Sequence, residues 1–246
     1  MRSWWWGLIG LLWSFCSVAE QNIVHLYTYH NKPPFIVNLE QRQGLYFDLA
    51  ELLNQYSRQY QFETHFLPRK RLDHIIKNDE LEGVVLGVDP VWFGDPEETK
   101  FLWLPAIYQD SDNFVSLKSN PFEYTGKDSL RGKTLASVAG YYYFGINEAV
   151  QEGSLKRIDT VGEKQVLALV AKQRADLGIV SQSTYKYLVS HHQLETRFHF
   201  SQRKHDEYAR RAFTASDQDA IHQHLLKLIQ TIKANGSWQA TISKYE

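Results

Sequence analysis

The sequence predicts an α/β protein of two small lobes with mixed, mostly parallel sheets. Short apolar runs of strand length alternate with stretches whose apolar residues recur at helical spacing, and this rhythm occurs twice along the chain. No Gly/Ser-rich linker or shift of composition separates the two occurrences, which fits two lobes joined by chain crossings better than two beads on a string.

Taken in order, Ile23 to Thr28 reads as a buried strand, and after the Pro33-Pro34 turn Leu45, Leu49, Leu52, Leu53 and Tyr56 mark a helix. Leu72, Ile75 and Ile76 suggest a second helix before an apolar strand from Gly83 to Val88. Phe114 to Leu117 gives the next strand. The theme then recurs as a strand from Lys133 to Val138, a helix through Val166, Leu167, Leu169 and Val170, and a strand from Asp176 to Val180. The last segment is a helix with Ile221, Leu225, Leu228, Ile229 and Ile232 on one face, a capping-box-like start at Ser216 and Asp219, and a stop at Asn235-Gly236.

The composition excludes several classes. With 27 Lys and Arg against 28 Asp and Glu, the 246-residue chain carries a formal charge of −1, which argues against nucleic-acid binding by bulk charge. Hydrophobic residues at 43% and charged residues at 22% suit a packed globular core rather than a disordered tail, a collagen-like repeat or several membrane spans.

Arg2, the apolar run Trp4 to Cys16 and then Ser17-Val18-Ala19 form a signal-peptide pattern, with cleavage expected after Ala19 and export to the periplasm. A spanning helix needs about 20 apolar residues, so a retained membrane tether is the alternative reading. Phe15 stands where a lipobox wants a small residue before Cys16. Cleavage would leave residues 20–246 without cysteine, hence without disulfides, Cys-based zinc sites or a thiol nucleophile.

Several segments together resemble the extracellular solute-binding proteins of the amino-acid-binding type, family 3. They are Pro33-Pro34-Phe35, Gly44 with Asp48-Leu49-Ala50, Leu104-Pro105-Ala106 with Tyr108, Leu130 with Gly132-Lys133-Thr134, Ala175-Asp176, and the closing Gly236 to Tyr245. The resemblance implies a type II periplasmic-binding-protein-like clamp that closes on a small solute. On it, lobe 1 is residues 22–112 plus 214–246 and lobe 2 is residues 113–213. Crossings near Asp112 and Thr214 would restrict the lobes to a hinge motion.

The chain departs from the family where ligand chemistry is decided. The family's carboxylate-binding arginine falls near Glu97, within Asp95-Pro96-Glu97-Glu98-Thr99-Lys100, and the place of its ammonium-binding aspartate holds Val180-Ser181-Gln182. A zwitterion needs a partner for each charge, so ordinary α-amino acids are expected to bind weakly, and a ligand with a flat or cationic part is favoured.

In open parallel sheets ligands lie at the carboxyl ends of strands, which directs attention to four loops. They hold Tyr29 and His30, Asp89 to Phe93, Gly140 to Phe144, and Ser181 with Gln182. The candidate ligand-binding residues are Tyr29, Arg71, Asp89, Trp92, Tyr141, Tyr142, Ser181 and Gln182. Each has a plainer alternative. Any one tyrosine of Tyr141-Tyr142-Tyr143 can be core, though four consecutive aromatics ending at Phe144 cannot all face one core. Trp92 can cover a lobe edge, and Arg71, in the Arg69-Lys70-Arg71 cluster, can be a solvated helix start.

Among the ten histidines, His191-His192 and the pair His222 and His224, read as lying on the exposed side of the last helix, lack ligand spacing on one helix face. No metal or cofactor is expected. The sequence has no Gly-x-Ser-x-Gly, His-Glu-x-x-His or Gly-x-x-x-x-Gly-Lys motif. On the resemblance, the expected function is solute binding by a monomer that serves an ABC importer permease or a membrane sensor. The alternative is a clamp-fold periplasmic enzyme such as a dehydratase, using carboxylates among Asp89, Asp95, Glu97 and Glu98.

Overall fold

In the computed structural model, residues 22–191 and 197–246 are described. The signal-peptide segment 1–19 and His192 lie outside them. No described helix is long and apolar enough to cross a membrane.

The first half of the chain runs β1 (Asn22–Thr28), α1 (Leu45–Tyr56), β2 (Tyr60–Phe66), α2 (Arg69–Lys77), β3 (Val84–Val88), β4 (Leu102–Trp103) and β5 (Tyr108–Leu117). The second brings β6 (Thr134–Val138), α3 (Ile146–Gln151), β7 (Lys156–Thr160), α4 (Glu163–Ala171), β8 (Leu177–Ser181), α5 (Gln182–Ser190), β9 (Phe198–Phe200) and β10 (Asp206–Thr214). It closes with α6 (Asp219–Ala234) and α7 (Ser237–Ile242).

The strands follow the order β2-β1-β3-β10-β5-β8-β6-β7, with β4 beside β10 and β9 beside β5. At each end the pairing is parallel, β1 with β2 and β3, and β6 with β7 and β8. Antiparallel pairs gather where the chain crosses between the halves. There β10 changes partner: Asp206 to Arg210 pair with β5 and Arg211 to Thr214 with β3, with a register shift between Arg211 and Ala212.

The inner strands of each half are buried on both faces, whereas the edge strands β2 and β7 are not. Strands β3 and β8 are buried at every residue, and their sequences are correspondingly near-continuous apolar runs. One face of the first half packs Leu26, Phe62 and Leu86 against Leu49 and Leu53 of α1 and Leu225 and Ile229 of α6; the other packs Val85, Val88 and Phe213 against Leu72 of α2. In the second half Val115, Ala136 and Val180 meet α4, and Phe114, Leu135 and Ile179 meet α3.

Two details differ from expectation. The helix α6 starts at Asp219 without a Ser216 cap; Gln218 is its N-cap, and the Gln218 side chain bonds Leu81 O and, at 3.1 Å, Gly83 N. His222 is buried rather than solvent-facing, with Nε2 3.2 Å from Trp103 O, and His224 lies 3.1 Å from Ser57 Oγ. The amphipathic pattern hid both, because a histidine ring packs like an aromatic when its nitrogen finds a partner.

Candidate functional site

The loops at the carboxyl ends of β1, β3 and β6 converge with the crossing strands β5 and β10 on one cavity of about 250 Å³. Tyr29 and His30 follow β1 directly. Trp92 sits in a 3-10 turn, Pro90–Phe93, capped by Asp89, whose Oδ1 accepts the Val91 N–H at 3.0 Å. Tyr141, Tyr142 and Tyr143 form the turn after β6, and the site is completed by Asp112 of β5 and Tyr208 and Arg210 of β10.

Four of the eight residues predicted from sequence come together here: Tyr29, Trp92, Tyr141 and Tyr142. The other four do not line the cavity. Arg71 is exposed on α2, and it is Arg69, two positions earlier on the same helix, that reaches the site. Asp89 acts as the turn cap. The strand β8 passes into α5 without a loop, so Ser181 becomes a buried N-cap position and Gln182 lies against a different surface pocket with Lys186 and Trp238. In the aromatic run, Tyr142 and Phe144 are exposed while Tyr143 is buried. Glu97 is an exposed loop residue outside the cavity lining. Its neighbours organise that loop: Asp95 accepts from Thr99 N, Lys100 N, Phe101 N and Trp103 Nε1, and Glu98 pairs with Arg211.

Every cation at the site already has a carboxylate. Arg69 donates through Nε to Asp73 Oδ1 at 2.7 Å and through its terminal nitrogens to Tyr29 Oη and Trp92 O, with its plane over the Phe93 ring. Arg210 is fully buried, pairs with Asp110 at 2.8 Å, donates to Gly87 O at 3.1 Å and lies over Phe35. Gly87 is irreplaceable there, because its φ of +82° is left-handed and an added Cβ would collide with the Tyr46 hydroxyl. Lys32 forms a buried ion pair with Glu163, the first residue of α4, and donates to Ser181 Oγ at 3.0 Å. Glu163 also accepts the Ser181 N–H and hydroxyl. At the position where the resemblance places an anchor for a ligand ammonium, the ammonium present is thus the chain's own Lys32.

Asp112 differs. No cation forms an ion pair with it among the described residues, and its side chain accepts one hydrogen bond, from Tyr208 Oη at 3.0 Å. Arg210 Nη2 donates to the same hydroxyl at 3.2 Å, and because arginine is only a donor the Tyr208 proton must point at Asp112. Burial pushes the Asp112 carboxyl up to about 7, opposed by Lys32 and reinforced by Glu163 and Asp110. Burial, then the charges of Arg210, Lys32 and Arg69, holds His30 well below the ordinary histidine range, so its imidazole is neutral. Around these groups the rings of Trp92 and Tyr208 meet at 4.7 Å and those of Tyr29 and Tyr141 at 6.1 Å.

Sequence reasoning missed Lys32, Asp112, Tyr208 and Arg210, and within the Arg69-Lys70-Arg71 cluster it favoured Arg71 over Arg69. The available signal was period-two spacing: Asp110 and Asp112 on β5 and Tyr208, Arg210 and Ala212 on β10 each alternate with residues on the opposite face.

No protein-family model matches the sequence, and comparison with characterised proteins by sequence finds no match. Solved structures do match. A mutant of the arginine-binding protein ArgBP from T. maritima superposes with a TM-score of 0.72 at 14% identity, over 91% of this chain and 95% of that one. The GluR0 ligand-binding core from Nostoc punctiforme in complex with L-glutamate gives 0.70 at 14% identity, over 90% and 98%. A histidine kinase sensor domain similar to periplasmic binding proteins gives 0.73 at 14% identity, over 92% and 96%. Over nearly its whole described length, the chain has the α/β fold of the periplasmic-binding-protein-like clamps.

Proposed function

We propose that this protein is an exported solute-binding protein whose cavity holds a small organic cation lacking a carboxylate, such as an amine or guanidine with a short apolar body. Asp112 carries this reading: it is a carboxylate in an aromatic-walled cavity with no ion-pair partner among the described residues, while Lys32, Arg69 and Arg210 are already neutralised. A bound cation would restore to Asp112 the compensation it loses on leaving water. The rings of Trp92, Tyr141 and Tyr208 would add cation–π attraction of about 0.5–2 kcal/mol each. A carboxylate would find no uncommitted Lys or Arg among the described residues that line the cavity.

The cavity lies where the two sheet halves meet, so we assign lobe 1 to the β1–β3 half with α6 and α7, and lobe 2 to the β6–β8 half. The outward crossing is near Asp112. The partner change in β10 supports a return crossing at Arg210–Arg211, N-terminal to the Thr214 expected from sequence. Binding proteins for transport and a sensor domain share the fold, so the partner is an importer permease or a membrane sensor in the periplasm, engaged by a monomer in its closed form.

Calorimetric titration with agmatine and with arginine, which differ by one carboxylate, tests the ligand class. Agmatine should bind at least about tenfold more tightly, equivalent to 1.4 kcal/mol. Equal or tighter binding of arginine, or of glutamate, would overturn it. Mass spectrometry of the recovered ligand separates binding from turnover.

A further inference from the structure

We propose that the edge of the first half carries a divalent transition-metal site, separate from the solute cavity, formed by His25 of β1 with Glu63 and His65 of β2. The register of the parallel pair sets His25 directly opposite Glu63, and Glu63 and His65, two residues apart, project to the same face of the strand. That face is opposite the one on which Val24, Leu26 and Phe62 pack beneath α1. The three side chains each offer a ligand atom, and these atoms lie within 4.8 Å of one another. Glu63 Oε2 is 3.5 Å from His65 Nε2, and the two imidazoles meet edge to face with centroids 4.6 Å apart. Ligands held about 2.0–2.1 Å from an ion stand roughly 3–3.5 Å from one another, so modest side-chain rotations complete the set.

A second observation points to a missing partner. His25 Nδ1 and His65 Nε2 are both shielded from solvent, and neither has a hydrogen bond among the described residues. Buried polar atoms are normally satisfied, and two unsatisfied ring nitrogens facing one carboxylate are an arrangement that a cation resolves. Two imidazoles with a single carboxylate suit Zn²⁺, Cu²⁺ or Ni²⁺ better than Mg²⁺ or Ca²⁺, which prefer all-oxygen sets. Three protein ligands leave the fourth position of a tetrahedral ion to water.

The site would clip β1 to β2, the strand at the edge of the sheet. His25 precedes Tyr29 by four residues, about 13 Å along an extended strand, so the metal does not compete with the solute.

The test uses tag-free protein and Zn²⁺ alone, with calorimetry and thermal unfolding. Binding of one Zn²⁺ per chain and a rise in the unfolding midpoint are expected. The double variant His25→Gln/His65→Gln should lose about tenfold or more of the affinity, together with the thermal response, while keeping its agmatine response. Unchanged Zn²⁺ affinity in that variant, or no stoichiometric binding by the parent protein, would overturn the site. Should the variant fail to fold, anomalous diffraction from parent crystals grown with Zn²⁺ decides: a peak between His25 Nδ1 and His65 Nε2 supports the site, and peaks only elsewhere refute it.

Discussion

Two buried ion pairs tie the halves of this molecule together, and they are held in different ways. Arg210 and Asp110 lie on β10 and β5, strands hydrogen-bonded to each other from Asp206 to Arg210, and Asp110 also accepts the Ser183 N–H and hydroxyl at the first turn of α5. Lys32 and Glu163 come from the loop after β1 and the start of α4, which share no backbone hydrogen bond among the described residues. Around that second pair the halves touch through side chains, Thr184 Oγ1 donating to Pro33 O at 2.6 Å and Lys32 to Ser181. The same charge chemistry sits on hydrogen-bonded backbone in one place, a strut, and on backbone joined only through side chains in the other, which under the proposed clamp motion would act as a latch. A charge can regain water only where the backbone can move apart.

Breaking the strut should have the largest effect. Asp110→Ala leaves the fully buried Arg210 without a counter-charge and is expected to cost about 3–5 kcal/mol in urea unfolding. Replacing both partners, Asp110→Leu with Arg210→Met, should recover much of that loss. A single variant as stable as the parent would show that the strut is not a strut.

The unpaired neighbour of the strut sharpens the comparison through pH. Asp112 titrates near 7 in the folded protein against about 3.9 unfolded, so between those values the folded state binds more protons and stability falls as pH rises. The stability is fully present below about pH 4 and lost by about pH 7. Asp112→Asn should remove this dependence and leave the variant more stable than the parent by roughly 2 kcal/mol at pH 8 and equal to it at pH 4, the value being discounted because Asp112 borders the cavity. Agmatine affinity should fall in the same variant. A parallel pH profile for parent and variant would contradict the assignment.

The latch should give the smallest change in stability and the largest in shape. Lys32→Met frees Glu163, which opening returns to water, so the expected cost is about 1 kcal/mol. Small-angle scattering should show a larger radius of gyration in the unliganded variant, contracting again with agmatine. A loss as large as that of Asp110→Ala with no change in radius would make the two pairs equivalent.

Most of the framework was legible in the sequence because strands buried on both faces must be apolar throughout, as in Val84-Val85-Leu86-Gly87-Val88, and helices against them must be apolar on one face, as in α1 and α6. The strand β10 was missed, since its one local signal was period-two spacing and nothing local announces that Asp110 and a floor of rings will bury Arg210. Nor was β2, whose alternation in Tyr60-Gln61-Phe62-Glu63 suits an edge strand with one packed face.

The sequence by itself determined the α/β rhythm, the apolar faces and the aromatic supply of the loops after β1, β3 and β6, because these are properties of single elements and their spacing. Only the tertiary structure decided which charges meet. It paired Lys32 with Glu163 across 131 residues and Arg210 with Asp110 across 100, and among the described residues it left Asp112 without an ion-pair partner. Electrostatic partnership depends on distance in space and on exclusion of water, and neither quantity is written in the order of residues along a chain.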